Sequence, residues 1–193
     1  MAVDEDGNVY VADWANHLIR RITPGGVVST IAGSAGHAGS TDDTDTTTAL
    51  FNDPAGMAVD KDGNVYVADQ GNHLIRRITP GGVVNTIAGS AGQAGSTDDT
   101  DTTTALLNNP YGMAVDEDGN VYVADQGNHL IRRITPEGVV STIAGSAGHA
   151  GSTDGTDTTT AQFKWPSGVA VDKDGNVYVA DQGNHLIRKI EYK

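Results

Sequence analysis

The sequence predicts an all-β fold, a β-propeller of four-stranded antiparallel blades, and three observations predict it. The 193 residues repeat with a period of 56: residues 1–56 and 57–112 differ at only 8 positions. A fixed period in this range is typical of solenoids, propellers and arrays. Each repeat contains four short apolar segments separated by tight-turn residues, which is the pattern of a propeller blade. One repeat is too small to bury its own apolar face, so we expect residues 1–193 to form a single domain.

The four strands of a blade follow in order from the first repeat. Residues 1–4 are a short apolar segment, and the Asp-Gly that follows is a hairpin signal because glycine accepts a positive φ. Residues 9–13 are rich in β-branched and aromatic side chains and predict the second strand. Residues 17–23 end at a Pro-Gly-Gly stop and predict the third strand, and residues 27–32 predict the fourth.

The remaining 24 residues of each repeat, 33–56 in the first copy, form an insert of mainly Gly, Ser, Thr and Asp. We predict a loop with one helical turn over residues 45–50, capped by Asp45 or Thr46. In an antiparallel blade, the inserts lie on the same side as the turns between second and third strands. We call this side the insert face. Loops of this length are more often functional or mobile than passive connections.

The fourth repeat is incomplete. The repeats cover residues 1–56, 57–112, 113–168 and 169–193, so the last blade lacks its fourth, outer strand. The third strand of that blade then has an open edge, which favours pairing with another chain. One chain closes as a strained four-bladed ring, or two chains join head to tail as a homodimer with an eight-bladed ring. We favour the homodimer.

A motif in the turn before each third strand carries a family resemblance. Residues 16–18 read Asn-His-Leu, and the triplet recurs at 72–74, 128–130 and 184–186, each time after the run DGNVYVAD. The chain resembles NHL-repeat β-propellers, and its long inserts are similar to those of bacterial members. The resemblance implies four antiparallel strands per blade, with the first strand innermost. It implies no single function, because the family includes protein-binding and RNA-binding modules, extracellular proteins and a metal-dependent lyase, and related propellers include lactonases.

Composition excludes several classes of partner. The formal net charge is −13, so the surface repels phosphate backbones and anionic lipids, and we expect neither nucleic acid nor a membrane as partner. The absence of cysteine excludes disulfides and cysteine-ligated metals. The sequence shows no signal peptide, and the compartment stays open, with an extracellular or periplasmic one favoured.

An Asp and a His flank the turn before every third strand. This spacing suits a metal site or an acid–base pair, but catalysis rarely needs four copies. We therefore predict a structural network in which the carboxylate accepts hydrogen bonds from the turn and from the imidazole. The residues are Asp13, His17, Asp69, His73, Asp125, His129, Asp181 and His185.

The inserts also carry candidate metal ligands. Carboxylates, hydroxyls and carbonyls on a Gly-rich loop suit hard cations such as Ca²⁺, the only cofactor that the sequence suggests. The alternative is a solvated acidic loop in which Asp45 caps the helical turn. The candidate ligands are Asp42, Asp43, Asp45, Asp98, Asp99 and Asp101.

Residues that differ between copies, or lie exposed in the inserts, are candidates for binding. An exposed Trp is often a platform for sugar or protein. The candidates are Trp14, His37, Phe51, Tyr111, His149, Lys164 and Trp165.

We therefore predict a non-catalytic binding or scaffold propeller that presents repeated loops for multivalent interaction with protein or glycan. One alternative is a metal-dependent lyase or lactonase-like enzyme. Another is an engineered or recently amplified repeat protein, or a fragment of a longer array, without a ligand.

Overall fold

The computed structural model describes residues 1–44, 48–101 and 104–191, and these form fifteen strands in four sheets. The first blade contains β1 (Ala2–Val3), β2 (Val9–Asp13), β3 (Leu18–Ile22) and β4 (Val28–Gly33). The second contains β5 (Pro54–Val59), β6 (Val65–Asp69), β7 (Leu74–Ile78) and β8 (Val84–Ala88). The third contains β9 (Pro110–Val115), β10 (Val121–Asp125), β11 (Leu130–Ile134) and β12 (Val140–Gly145). The fourth contains β13 (Pro166–Val171), β14 (Val177–Asp181) and β15 (Leu186–Ile190).

Within each sheet the strands lie in sequence order and pair antiparallel, which confirms the predicted blade. One 3₁₀ turn joins the second and third strands of every blade: Trp14–Asn16, Gln70–Asn72, Gln126–Asn128 and Gln182–Asn184. The fourth sheet has three strands and ends at β15, as the incomplete repeat predicts. In the second, third and fourth blades the first strand starts three residues earlier than expected, at Pro54, Pro110 and Pro166. Proline has no N–H to donate, so it is tolerated at the first position of a strand.

The hairpin between the first and second strands is fixed by one carboxylate. In the second blade, Asp60 Oδ1 accepts the N–H groups of Asp62 and Asn64, and Oδ2 accepts the Tyr66 hydroxyl. Burial and the nearby Asp60 carboxylate raise the pKa of Tyr66 to about 12, so the phenol stays a donor. The Asp-x-Asp-Gly-Asn letters therefore build a hairpin, as the Asp-Gly pair predicts.

The hydrophobic core lies between neighbouring blades rather than within one. The earlier blade contributes a Tyr, Ala and Ile face, and the later blade contributes a Val-rich face. Between the second and third blades these faces are formed by Tyr66, Ala68, Ile75 and Ala88, and by Val121, Val123, Ile134 and Val140. Each blade therefore needs a neighbour on both sides to bury its apolar side chains.

The first strands pack side by side at the axis, which places them innermost as the resemblance implies. Gly56 of β5 faces the backbone carbonyl of Tyr111, and Gly112 of β9 faces that of Ser167. A Cβ at either glycine would overlap that carbonyl oxygen, and backbone atoms cannot move aside as a side chain can. Glycine at these positions therefore sets the spacing between blades.

The described part of the chain forms an open arc rather than a closed four-bladed ring. At its two ends the apolar faces have no neighbouring blade: Val3 is 59% exposed at the start and Ile187 is 77% exposed at the end. The strained one-chain ring is therefore not the arrangement that this structure shows. Within the described residues, none of the helices is long and apolar enough to cross a membrane.

Candidate functional site

Each insert docks on the blade that follows it, at the 3₁₀ turn before the third strand. The N–H of Gly71 in this turn donates to the carbonyl of Asn52 at 2.9 Å, and Gly127 and Gly183 donate in the same way to Asn108 and Lys164. The inserts and these turns therefore share one side of the arc, the insert face.

A buried arginine of the third strand joins insert and blade. Arg76 of β7 is fully buried, and its guanidinium donates to the Asp69 carboxylate at 2.9 Å. Its other N–H groups reach the preceding insert: the carbonyls of Thr41 and Leu50 at 2.8 and 2.9 Å, and the Asp42 carboxylate at 2.6 Å. A buried charge is tolerated only when it is paired and hydrogen-bonded, and this one has partners from both elements.

The same arrangement recurs in the third blade, while the first blade differs. Arg132 is fully buried between Asp125 and Asp98, at 2.9 and 2.7 Å. Arg20 of the first blade is not covered by an insert in this structure. Its side chain is 32% exposed and lies 3.4 Å from Asp13.

In the second, third and fourth blades, the Asp before the 3₁₀ turn accepts hydrogen bonds from a backbone N–H of the insert, a side-chain amide of the turn and a guanidinium of the third strand. Asp69 accepts the N–H of Asn52 at 2.7 Å, the side-chain amide of Asn72 at 2.8 Å, and Arg76. Burial raises the pKa of Asp69 to about 6 and that of Asp125 to about 6, although the hydrogen bonds oppose this shift. At neutral pH both carboxylates are therefore ionised and pair with their arginines.

The His of each Asn-His-Leu triplet does not donate to this Asp, in contrast to our expectation from the sequence. His73 has φ 61, the left-handed region, and ends the 3₁₀ turn. Its Nδ1 accepts the N–H of Asn109, at the start of the next blade, at 3.1 Å. His17 and His129 accept the N–H groups of Asp53 and Trp165 in the same way. An accepting Nδ1 requires a neutral ring with its proton on Nε2, and burial lowers the pKa of His73 accordingly.

The predicted calcium ligands have other roles where the structure describes them. Both oxygens of Asp42 are engaged: besides Arg76, they accept the N–H and the hydroxyl of Thr86 in β8. Asp98 does the same with Arg132 and Thr142. A guanidinium already neutralises each of these two carboxylates, and their assignment as calcium ligands stays a prediction that this structure does not test. Recurrence in every insert does not distinguish Asp42, Asp98 and Asp154, because Asp45, Asp101 and Asp157 recur as well.

The neighbouring acidic residues contribute mainly through the backbone. Asp43 exchanges both backbone hydrogen bonds with Val84, and Asp99 pairs with Val140, so the insert covers the outer edge of the fourth strand. The Thr104 side chain lowers the pKa of the Asp99 carboxyl by hydrogen bonding, and Asp99 also accepts the N–H of Asp101. Asp45 lies outside the described residues. Within the described ranges, no three His, Asp or Glu side chains converge as a cation site would require.

The predicted helical turn of the insert is present as a single turn in the second and third copies. In the second copy the N–H groups of Thr104 and Ala105 donate to the Asp101 carbonyl at 3.3 and 3.2 Å. Asp157 Oδ1 accepts the N–H groups of Thr159 and Thr160 at 2.8 and 2.9 Å, and no helix follows. In the first copy residues 45–47 lie outside the described ranges.

The structure divides the candidate binding residues into exposed and buried groups. Trp14 and Trp165 are each 54% exposed and Tyr111 is 42% exposed, all on the insert face. Lys164 places its ammonium 5.4 Å from the centre of the Trp165 ring, a cation–π contact. His37 and His149 are exposed in the inserts, each with Nδ1 near the carbonyl two residues earlier.

Phe51 is a correction. It is fully buried, and the guanidinium of Arg76 lies 4.9 Å from its ring centre. Phe163 packs under Arg188 at the same distance. Phe51 therefore packs against the buried arginine, and its side chain is not accessible to a ligand.

Comparison with known proteins agrees with this geometry. The family model "NHL repeat" matches residues 51–78 and 163–190, and the model "Teneurin NHL domain" matches residues 92–154. Teneurin-m of Drosophila melanogaster is 30% identical over 213 residues, which cover 98% of this chain but 8% of that protein. A Bacteroides thetaiotaomicron protein of unknown function is 31% identical with a TM-score of 0.78, covering 97% of this chain and 45% of the other.

Two more distant structures share the fold alone. An auxiliary nutrient binding protein from Bacteroides thetaiotaomicron has 20% identity, a TM-score of 0.74, and coverage of 96% of this chain and 45% of that one. A gluconolactonase from Xanthomonas campestris has 17% identity, a TM-score of 0.66, and coverage of 100% and 57%. The chain spans less than two thirds of each of these four proteins.

Radially arranged antiparallel blades with their first strands at the axis define a β-propeller chain. The Asn-His-Leu turns and the matching family models place it more closely. The chain belongs to the NHL-repeat family of β-propellers.

The buried Arg76 should contribute far more to the free energy of unfolding than the partly exposed Arg20 at the equivalent position. We expect Arg76→Ala to lower the free energy of unfolding by about 3–5 kcal/mol, because it leaves Asp69 and Asp42 without their cation. Arg20→Ala removes the same residue type at the same repeat position, but from a half-exposed pair, and should cost about 1 kcal/mol or less. Urea unfolding followed by circular dichroism measures both. Equal losses in the two variants would contradict the role given to the insert.

The histidines should make the fold sensitive to mild acid. Burial lowers the folded-state pKa of His73 and His129 below the usual 6.5, so their stabilisation is present above that pH. It is lost as the pH falls through the folded-state pKa, because a protonated Nδ1 cannot accept an N–H. Asp69 and Asp125 have raised folded-state pKa values, so their protonation favours the folded state as the pH falls, which is opposite to the effect of the histidines. Wild type and variant must therefore be compared at each pH.

The test uses His73→Asn with His129→Asn, because Asn tolerates the left-handed conformation. The melting temperature of wild type should exceed that of the double variant, and this difference should become smaller between pH 7.5 and pH 5. These two pH values lie on either side of the usual histidine pKa of about 6.5. The control is His37→Asn with His149→Asn in the exposed inserts, where no such change is expected. An advantage that stays constant with pH would show that these imidazoles do not titrate with folding.

Proposed function

We propose that the chain is a non-catalytic binding propeller whose insert face holds a protein or a glycan. The observation that carries this proposal is the exposure of three aromatic side chains, Trp14, Tyr111 and Trp165, on one face. Amphipathic aromatic side chains supply large contact area at low conformational cost, and they dominate many binding surfaces.

The backbone under Trp165 supports the proposal because it is held firmly. Trp165 has φ 49, an uncommon conformation for a bulky residue, and its N–H is bound by His129. The N–H of Lys164 donates to the buried Asp181, and its carbonyl accepts the N–H of Gly183. A side chain on a fixed backbone loses little further freedom on binding, which favours affinity.

The non-catalytic assignment rests on how the repeated polar groups are used. The Asp and His residues that suit acid–base chemistry already hold Arg, Asn and backbone N–H groups. A lyase or lactonase-like enzyme would need different residues from several blades converging on one reacting atom. Turnover of a lactone by the chain with added divalent ions would favour that alternative.

The test of binding uses the two tryptophans as reporters. Trp14 and Trp165 are the only tryptophans in the chain, so ligand binding at this face should change the intrinsic fluorescence directly. Glycans from an array that retain the wild-type chain are titrated against it and against Trp165→Ala. We expect about tenfold weaker binding in the variant, in the range of a lost aromatic anchor. Val27→Ala, another exposed apolar residue, is the control.

Proteins form the second arm of the same test, with Trp14, Tyr111 and Trp165 all changed to Ala. Ligands that bind this triple variant as tightly as wild type would place the binding surface elsewhere.

We also propose that the chain self-associates head to tail, so that two copies close an eight-bladed ring. The two ends of the arc carry the two halves of the interface that the chain repeats internally. Tyr178 and Ile187 at the last blade correspond to Tyr66 and Ile75, which are buried against the next blade. Val28 at the first blade is 52% exposed and corresponds to Val84, which is fully buried.

Mass in solution tests this assembly. Sedimentation at micromolar concentration should give twice the chain mass of 20.0 kDa. Ile187→Glu places a charge in the proposed interface and should return the mass to 20.0 kDa. Tyr111→Glu, which changes an exposed aromatic away from the ends, should not. A wild-type chain that sediments as a monomer would contradict the proposal.

A further inference from the structure

Three blade starts on the insert face share one backbone and differ in the side chains that this backbone carries. Asp53, Asn109 and Trp165 each precede a first strand, with φ of 50, 49 and 49. A turn imidazole accepts the N–H of each of them. Asn109 is exposed although blades lie on both sides of it, so the exposure of Trp165 belongs to this position in the blade. The pairs that differ are Asn52-Asp53, Asn108-Asn109 and Lys164-Trp165.

The pair in the fourth blade joins a flat apolar surface to one positive charge. Trp165 is 54% exposed, and the ammonium of Lys164 lies 5.4 Å from the centre of its ring. Within the described ranges, no carboxylate forms a salt bridge with this ammonium. The Asp181 carboxylate, which accepts the backbone N–H of Lys164, is buried and already paired with Arg188. The ammonium is therefore available to a carboxylate from outside the chain.

An indole beside an ammonium suits a rigid ring that has apolar faces and one carboxylate. A β-linked glucuronate has these features, because its ring substituents are equatorial and its C–H groups point toward both faces. Its carboxylate projects from the edge of the ring, where an ammonium can donate a charge-assisted hydrogen bond. An Asp or Glu side chain of a peptide has the charge but no rigid face, and it loses more conformational freedom on binding.

The charge of the whole chain limits how densely charged such a ligand can be. The formal net charge is −13, so a polymer with a sulfate or carboxylate on every unit is repelled. A glycan in which charged and neutral sugars alternate places one carboxylate at the lysine and keeps the others apart.

We propose that Lys164 and Trp165 form a subsite for a β-linked uronate unit of a glycan with alternating charged and neutral sugars. The indole stacks on one face of the sugar ring, and the ammonium donates to its carboxylate. This inference rests on the proposed function, because it assigns a class of ligand to the insert face.

The probe is a tetrasaccharide of alternating glucuronate and N-acetylglucosamine, titrated with the whole chain by calorimetry. We expect saturable binding that is about tenfold weaker for the methyl ester of the same tetrasaccharide, which keeps the rings but removes the charge. A capped Glu-Gly-Glu-Gly peptide should bind more weakly than the tetrasaccharide. Lack of saturation at about 5 mM tetrasaccharide, equal binding of acid and ester, or tighter binding of the peptide would each overturn the proposal.

Variants of the chain separate the two side chains. Trp165→Ala should weaken binding of acid and ester alike. Lys164→Gln should weaken binding of the acid about tenfold and leave the ester unchanged, because the substitution and the ester remove the same interaction. Lys173→Gln lies in a hairpin on the opposite face and changes the net charge equally, so it is the matched control. An equal loss in Lys173→Gln would overturn the assignment to Lys164.

The shared backbone allows the subsite to be moved to the preceding blade. Asn108→Lys with Asn109→Trp, introduced into the Trp165→Ala chain, should restore binding of the acid to within about threefold of wild type. We expect this because Asp125 and His73 hold the N–H groups of residues 108 and 109 as Asp181 and His129 hold those of 164 and 165. Circular dichroism checks that the graft folds, and a folded graft that does not bind would overturn the proposal.

Failure of this inference is distinguishable from failure of the proposed function. Neutral glycans or proteins that bind through Trp165, while the acid has no advantage over its ester, would overturn the uronate subsite and leave the binding propeller standing. A chain that binds neither glycan nor protein at this face would contradict both.

Discussion

The structure depends on a charged side chain that is buried where a propeller blade meets the preceding connection. Arg76 and Arg132 have no exposed side-chain surface, and each is neutralised by two carboxylates, one from its own blade and one from the preceding insert. Leaving a guanidinium unpaired in such a place costs several kcal/mol, so the insert and the blade must be present together. The insert is therefore a structural element, although its composition is that of a loop.

A second tie runs in the other direction along the chain. The imidazole of each turn accepts an N–H at the start of the following blade, and the inner glycines let neighbouring first strands touch. Every interior blade is thus bound to the insert before it through arginine and to the start of the blade after it through histidine. The terminal blades have only one of these ties, which agrees with the exposure of Arg20 and His185.

The parts of the fold that sequence reasoning predicted are those encoded over short distances. Strand order, hairpins, the shared face of the inserts and the missing outer strand follow from a period of 56 and from turn residues next to each other. The roles of Asp42 and Phe51 did not follow, because Arg76 contacts Asp42 across 34 residues of sequence. A repeat period shows that a contact recurs, but it does not show which positions meet. The aromatic residues of the insert face were found as differences between copies, whereas their exposure had to come from the structure.

Because each blade depends on the insert before it, the structural module does not have the same boundaries as the sequence repeat. The letters repeat from residue 1 to 56, but the physically complete module runs from the start of one insert to the end of the next fourth strand, residues 33–88. Duplication of any 56-residue segment in an array still produces whole modules in its interior, whatever the starting point. Only the outermost modules are split, so the chain can lengthen by tandem copying without a new junction having to evolve.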